Sequence, residues 1–182
     1  DILAVNQRSN GVIATATNRT TDSSIKLVSF DEETVHDQDW QLRVTNLASA
    51  KALNRPDLKM SATSLKFDPS GHLLLAGFGA NVREDSGLDT SGDICLWDVA
   101  TQASLQLHGS SRNVFDVTFA AGPRFRGSFA VGCVANGNVN RGTRSVVRFY
   151  SAKETKGDSE VKYTCPLELE CKAFDMNDVV WW

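Results

Sequence analysis

The fold of this chain is indicated most clearly by the segment Ser91-Gly-Asp-Ile-Cys-Leu-Trp-Asp98. It is a run of alternating apolar residues that ends in Trp-Asp and is followed by a polar turn and another short apolar run. Alternation with a period of two residues is typical of a half-buried β-strand. The preceding run from Ser64 to Gly77 contains Pro69-Ser-Gly71, which predicts a tight turn between two further strands. Four consecutive strands are therefore predicted.

The same four-strand pattern recurs along the chain at intervals of about 50 to 60 residues. First strands are predicted at Ile2–Val5, Ser64–Phe67 and Asp116–Phe119, and a further one at Asp178–Trp181. Second strands are predicted within Gly11–Asn18, Leu74–Asn81 and Ser128–Asn136, and third strands at Ile25–Ser29, Ile94–Asp98 and Val147–Ser151. Fourth strands are predicted at Trp40–Val44, Ser104–Leu107 and Lys162–Leu167, where Pro166 fits an edge position. The chain is thus a repeat of one four-strand unit.

A Trp-Asp pair that ends the third strand of a repeated four-strand unit resembles the WD40-repeat family of β-propellers. The resemblance implies an all-β fold of antiparallel four-stranded blades, in a single domain over residues 1–182. The blades would span about 1–50, 60–109 and 112–170, and a next blade would begin within 173–182. Since a closed propeller typically has four to eight blades, about three blades plus the first strand of a fourth predict an incomplete propeller. We expect the remaining blades to belong to a longer parent chain.

The sequence departs from the strong form of the WD40 repeat. In that form a Gly-His pair before the first strand and an Asp before the third strand join the Trp in a buried hydrogen-bond network. Of the blade-motif positions Trp97, Asp98, Ser91 and Tyr150, Ser91 stands where the family has Asp, and Tyr150 takes the Trp position of the third blade. Val28 takes that position in the first blade. We expect these blades to rely on apolar packing and on serine hydroxyls.

Composition excludes several classes of function. The net charge of −3 is too small to attract nucleic acid or a membrane surface over a distance. No apolar run approaches the roughly 20 residues of a membrane span. Cys95 and Cys133 are predicted as small buried residues within strands. Cys165 and Cys171 could pair across a turn, but a nuclear or cytoplasmic protein would keep them reduced. No cysteine spacing is typical of zinc.

No pattern in the sequence predicts catalysis. His36, His72 and His108 are dispersed, and His72 is predicted as a solvent-facing turn residue. Gly77-Phe-Gly79 lacks the third glycine and the following helix of a phosphate-binding loop. The protein is therefore predicted not to be an enzyme and to need no metal and no cofactor.

Two long loops are predicted on one rim of the propeller, where a rigid scaffold would present them to a partner. They are Asn81–Gly92 and Asn136–Ser145. The candidate partner-binding residues of this rim are Arg83, Glu84, Asp85, Arg112, Arg141 and Arg144. Alternatively, Arg141 and Arg144 pair with the acids of the neighbouring loop, which leaves them structural. The basic loop Pro123-Arg-Phe-Arg126 is predicted on the opposite rim, with Phe125 tucked beneath the blade.

The resemblance predicts a non-enzymatic, intracellular scaffold, nuclear or cytoplasmic, that binds a protein or peptide within a multiprotein complex. One alternative is a substrate receptor of a cullin-type ubiquitin ligase. That class often has Arg two residues after the Trp-Asp pair, where this chain has Val99-Ala100. Another alternative is a chromatin-associated protein that contacts histone tails or nucleic acid, whose binding to nucleic acid would fall steeply with salt. No sequence pattern supports nucleic acid, and no membrane partner is predicted.

Overall fold

A computed structural model of the chain describes residues 2–8, 12–16, 25–30, 42–48, 60–80, 92–107, 114–122, 124, 126–134, 145–154 and 161–171. Over these ranges the chain forms twelve β-strands in three antiparallel sheets and no α-helix. The same ranges contain no helix that is long and apolar enough to cross a membrane. The all-β, antiparallel prediction is therefore confirmed. The predicted strand at Asp178–Trp181 lies outside the described residues.

Each sheet has four strands whose order in space is their order along the chain. Sheet I consists of β1 (Ile2–Val5), β2 (Val12–Ala16), β3 (Ile25–Phe30) and β4 (Leu42–Ala48). Sheet II consists of β5 (Met60–Phe67), β6 (Leu73–Ala80), β7 (Gly92–Asp98) and β8 (Ser104–Leu107). Sheet III consists of β9 (Val114–Phe119), β10 (Phe129–Val134), β11 (Ser145–Glu154) and β12 (Val161–Cys171). In the described residues the three sheets do not close on one another.

The strand β12 is longer than predicted because it pairs with almost the whole of β11. The register shifts between Phe149, which pairs with Leu167, and Ser151, which pairs with Thr164. Pro166 lies in this irregular part of the ladder, and a bulge is one of the places where a strand tolerates proline. The strand thus continues past the proline to Cys171.

Sheet II lies between the other two and is buried on both faces. Leu74, Phe78 and Trp97 pack against sheet I in one apolar cluster. Leu75 and Ile94, which stand at alternate positions of the same two strands, pack against sheet III in a second cluster. Successive side chains of a strand point to opposite faces, so both parities of β6 and β7 are apolar. This is the physical reason for the continuous apolar run over residues 73–79.

One transverse row of residues recurs at the same ladder position in every sheet. In each sheet the row begins with the last residue of the first strand. It continues with the residue that pairs with it on the second strand, and it ends with the residue of the third strand that pairs with this second one. The rows are Val5, Ile13 and Val28 in sheet I, Phe67, Leu74 and Trp97 in sheet II, and Phe119, Phe129 and Tyr150 in sheet III. Trp97 faces sheet I and Tyr150 faces sheet II, so each packs against the preceding sheet. In sheet III the rings of Phe129 and Tyr150 stack with centroids 4.9 Å apart.

The two outward faces of the stack carry exposed apolar side chains. On sheet I, Leu3 and Val5 are 62% and 57% exposed. On sheet III, Leu167 and Leu169 are 47% and 49% exposed. By strand alternation these residues point away from sheet II. Apolar packing between the sheets thus ends at these faces within the described part of the chain.

Buried polar side chains connect each sheet to the next. At the boundary of sheets I and II, the Asn6 amide donates to the Gly71 carbonyl oxygen at 2.8 Å. At the boundary of sheets II and III, the Ser64 hydroxyl donates to Asp116 Oδ1, and the Val117 N–H donates to Ser64 Oγ at 3.4 Å. Asn6, Ser64 and Asp116 are all buried. These bonds fix the position of one sheet on its neighbour, which apolar contact alone specifies less sharply.

Replacing Trp97 by Ala should lower the free energy of unfolding by about 3–5 kcal/mol, because the indole is 1% exposed and its removal leaves a cavity between sheets I and II. Trp97→Phe should lose less. The measurement is urea unfolding of the full chain, with Lys66→Ala, at an exposed position of β5, as the control. A near-neutral Trp97→Ala would contradict the packing described here.

The adjacent residues Thr63 and Ser64 should respond in opposite directions to loss of their hydroxyls. Ser64→Ala removes the donor to buried Asp116 and should cost about 1–3 kcal/mol. Thr63 Oγ1 is buried and has no hydrogen-bond partner among the described residues, so Thr63→Val should be neutral or stabilising. Thermal unfolding of both variants tests this pair. Equal losses at the two positions would argue against the inter-sheet bond.

Gly71 and Gly127 form a matched pair for testing the contact between sheets I and II. Both have a left-handed backbone, with φ of 77° and 75°, so alanine at either should cost about 1–2 kcal/mol. A Cβ at Gly71 would also collide with the Asn6 amide, whereas one at Gly127 would be 3.6 Å from the Ala152 Cβ, an ordinary contact. Gly71→Ala should therefore lose about 1 kcal/mol more than Gly127→Ala in urea unfolding, since it also breaks the Asn6 bond. Equal losses would contradict the described contact.

Candidate functional site

The predicted partner-binding rim lies outside the described residues. This applies to Arg83, Glu84, Asp85, Arg112, Arg141 and Arg144, and also to the blade-motif residue Ser91 and to Phe125. The two long loops are flanked by strand ends at Ala80 and Gly92 and at Val134 and Ser145. These strand ends lie at the same end of sheets II and III. The described candidate site is at the opposite end of the strands.

This site is a groove of about 550 Å³ between sheets II and III. Its walls are the β5–β6 turn, the β7–β8 turn, the β9–β10 loop, and residues of β11 and β12. The polar side chains that line it are Asp68, His72, Asp98, Arg124, Arg126 and Tyr163. A cavity of this volume is within the range of small-ligand and peptide sites, about 300–1,000 Å³.

The β5–β6 turn is held rigid by Asp68. This buried carboxylate accepts the N–H of Leu73 at 2.7 Å and the N–H of Ser70 at 3.1 Å, and it also accepts the Ser70 hydroxyl. The Gly71 N–H closes the turn on the Asp68 carbonyl oxygen. With its oxygens used inside the turn, Asp68 is a structural wall of the groove. His72, as predicted, is exposed.

The β7–β8 turn presents Asp98 to the groove. The N–H and the hydroxyl of Thr101 donate to Asp98 Oδ1 at 2.7 and 2.9 Å. These two bonds hold the pKa of the Asp98 carboxyl below its usual value, with a small further contribution from His72. The carboxylate is therefore ionised at neutral pH. Asp98 combines a place in the predicted Trp-Asp motif with a place on the groove wall.

Arg124 and Arg126 are on the facing wall, in the β9–β10 loop. Both side chains are exposed. Within the part of the chain that the structure describes, neither makes an ion pair or a side-chain hydrogen bond. Arg124 and Arg126 of the predicted basic loop thus line a groove, at the end of the sheets opposite to the strand ends that flank the long loops.

Tyr163 contributes an aromatic floor. Its ring packs on Phe129 with centroids 5.4 Å apart. Burial raises the pKa of the Tyr163 phenol, and the charge of Asp68 raises it further. The phenol is therefore neutral at physiological pH and can donate a hydrogen bond. Leu73, Gly127 and Ala152 complete a less polar surface around it.

A second hollow of about 420 Å³ lies along the first strands of the three sheets. Leu3 and Val5 of β1, Lys66 of β5 and Thr118 of β9 are among its lining residues. Lys66 is exposed there. This inner hollow is a concave surface where three strands meet, but its described lining has only one exposed cation.

An ion pair between a buried arginine and an exposed glutamate lies on the sheet II side of sheet III. Arg148 is 5% exposed, and its Nε donates to Glu168 Oε2 at 2.6 Å. Its Nη1 is buried and has no hydrogen-bond partner in the part of the chain that the structure describes. Burial raises the pKa of the neighbouring Cys133 thiol, and the Arg148 guanidinium partly opposes that rise. A buried arginine of this kind fixes the position of β11 relative to β12.

Two of the described cysteines are small buried residues, as the sequence predicts. Cys95 and Cys133 are buried free thiols, and burial raises the pKa of Cys95 to about 12. Cys165 is free and exposed, and the side chain of Cys171 is outside the described set. No group of three metal-binding side chains is present among the described residues.

Sequence reasoning did not find the inter-sheet bonds of Asn6 and Ser64 or the groove position of Tyr163. Asp116 was recognised only as part of a first-strand match. The local sequence carries no signal for such contacts, since Ser64 and Asp116 belong to different sheets. Arg124 and Arg126 did carry a signal, as a basic loop between two strands.

Comparison of the chain with protein-family models and with curated proteins finds no match in either set.

Proposed function

We propose that this chain is part of a WD40-type β-propeller that acts as a non-enzymatic scaffold for a protein or peptide partner. Three observations support the blade interpretation: the four-stranded meanders, their side-by-side stacking in chain order, and the recurrent row that contains Trp97 and Tyr150. In this proposal the outward faces of sheets I and III, with exposed Leu3 and Leu167, are where neighbouring blades pack.

The observation that carries the binding function is the groove with exposed Arg124 and Arg126. Turns anchored by Asp68 and by the Asp98–Thr101 bonds hold its shape before any partner arrives. A preformed, polar concave site at strand ends is suited to recognition, because little ordering entropy is lost on binding. Arginine is enriched where proteins bind proteins.

Affinity capture with the full chain tests the scaffold function. The wild-type chain and Lys66→Ala should enrich the same partner protein, and Trp97→Ala, whose packing between sheets I and II is weakened, should enrich much less of it. The purified partner should then bind the wild-type chain with a defined stoichiometry in calorimetry. The absence of any direct binder that distinguishes the wild type from Trp97→Ala would refute the proposal.

The same experiment separates the competing functions. A cullin-ligase adaptor as the direct binder would replace the general scaffold reading with a substrate receptor. Binding to nucleic acid whose affinity falls steeply with salt concentration would indicate a chromatin protein. A protein partner bound with weak salt dependence supports the function proposed here.

A further inference from the structure

We propose that the groove between sheets II and III binds an extended peptide segment in which an acidic and a basic side chain lie close together. This inference rests on the proposed scaffold function, since it names the chemistry of the partner segment at one site. It concerns the edge opposite to the long loops that the sequence singled out.

The two walls of the groove carry opposite and separate charges. Arg124 and Arg126 lie on the sheet III wall, and Asp98 lies on the sheet II wall. No ion pair joins either arginine to Asp98 among the described residues. The charges are thus held apart by the groove instead of neutralising one another. A ligand with a carboxylate towards the arginines and a cation towards Asp98 satisfies both walls.

The acid on the facing wall argues against a simple anion or a nucleic-acid strand as the ligand. Asp98 carries a negative charge at neutral pH, and its bonds from Thr101 lower its pKa further. A phosphate bound by Arg124 and Arg126 would gain attraction from them but would be repelled by Asp98 and Asp68 across the groove. A peptide with both signs of charge avoids this repulsion.

The size and the floor of the groove suit a peptide main chain. A volume of about 550 Å³ accommodates a few residues. The neutral Tyr163 phenol on the floor can donate to a peptide carbonyl oxygen, and its ring offers an apolar surface beside Leu73 and Ala152. Arginine can hold the ligand carboxylate with two parallel hydrogen bonds, which adds direction to the charge attraction.

The test is selection of random seven-residue peptides displayed against the full wild-type chain, with counter-selection against the Arg124→Glu/Arg126→Glu variant. We expect the retained peptides to share an acidic residue within about three positions of a basic one. Each selected peptide is then synthesised and titrated by calorimetry against the wild type and single-site variants.

Affinity should fall at least about tenfold in Arg124→Gln/Arg126→Gln and measurably in Asp98→Asn, which keeps an oxygen acceptor for Thr101. Lys66→Gln, in the inner hollow, is the matched charge control and should leave affinity unchanged. Circular dichroism and unfolding curves establish that the variants keep the fold.

Several results would overturn the inference. The selection could enrich peptides without a mixed-charge pattern, or the selected peptides could bind the arginine variant as well as the wild type. Lys66→Gln could lose binding instead, or submillimolar inorganic phosphate could displace the peptides. In each case the scaffold function stands or falls separately, because it is decided by the capture of a direct partner protein that Trp97→Ala loses.

Discussion

Sheet II is buried on both faces, and this burial constrains its sequence and holds the two neighbouring sheets in place. Trp97, Leu74 and Phe78 fill the space towards sheet I, while Leu75 and Ile94 fill the space towards sheet III. A strand alternates its side chains between two faces, so a sheet buried on both faces needs apolar residues at every position. This is why β6 and β7 are almost wholly apolar, and why their sheet can hold its two neighbours.

Apolar packing supplies most of the contact between the sheets, but polar bonds specify how they are placed. Asn6 of sheet I donates a hydrogen bond to Gly71 in a turn of sheet II, and Ser64 of sheet II donates one to Asp116 of sheet III. Each buried donor or acceptor that lost its partner would be costly. A slip of one sheet along the other therefore breaks specific bonds, whereas apolar side chains would tolerate it better. Gly71 permits the close approach because it has no Cβ to meet Asn6.

The groove is a consequence of this stacking. The turns of sheet II and the loop and outer strands of sheet III meet at one edge, where the core ends and Tyr163 covers it. Local bonds within each turn fix Asp68 and Asp98, so the walls keep their separation without contact between Asp98 and the arginines. Rigid strands with polar turns at their ends are a common way of presenting a binding site.

The existence of the strands and their order along the chain could be predicted from the sequence alone. Period-two alternation and the Pro69-Ser-Gly71 turn predicted all four strands of sheet II, although β5 begins at Met60 and not at the predicted Ser64. The matched positions of Trp97, Tyr150 and Val28 agree with one ladder row. Fourth strands were harder: β4 is displaced from its prediction and β12 extends beyond its own, because an outer strand has less apolar pattern to define its ends.

The contacts between the sheets and the composition of the groove became visible only when the sheets were packed together in the tertiary structure. The basic loop with Arg124 and Arg126 was visible in the sequence, but its position facing Asp98 and Tyr163 was not. Alternation and turn residues are local properties, which a sequence displays directly. The pairing of Ser64 with Asp116, and of Asn6 with Gly71, depends on how far one sheet is shifted and rotated on the next. That geometry follows from the fit of many side chains at once, so no single segment encodes it.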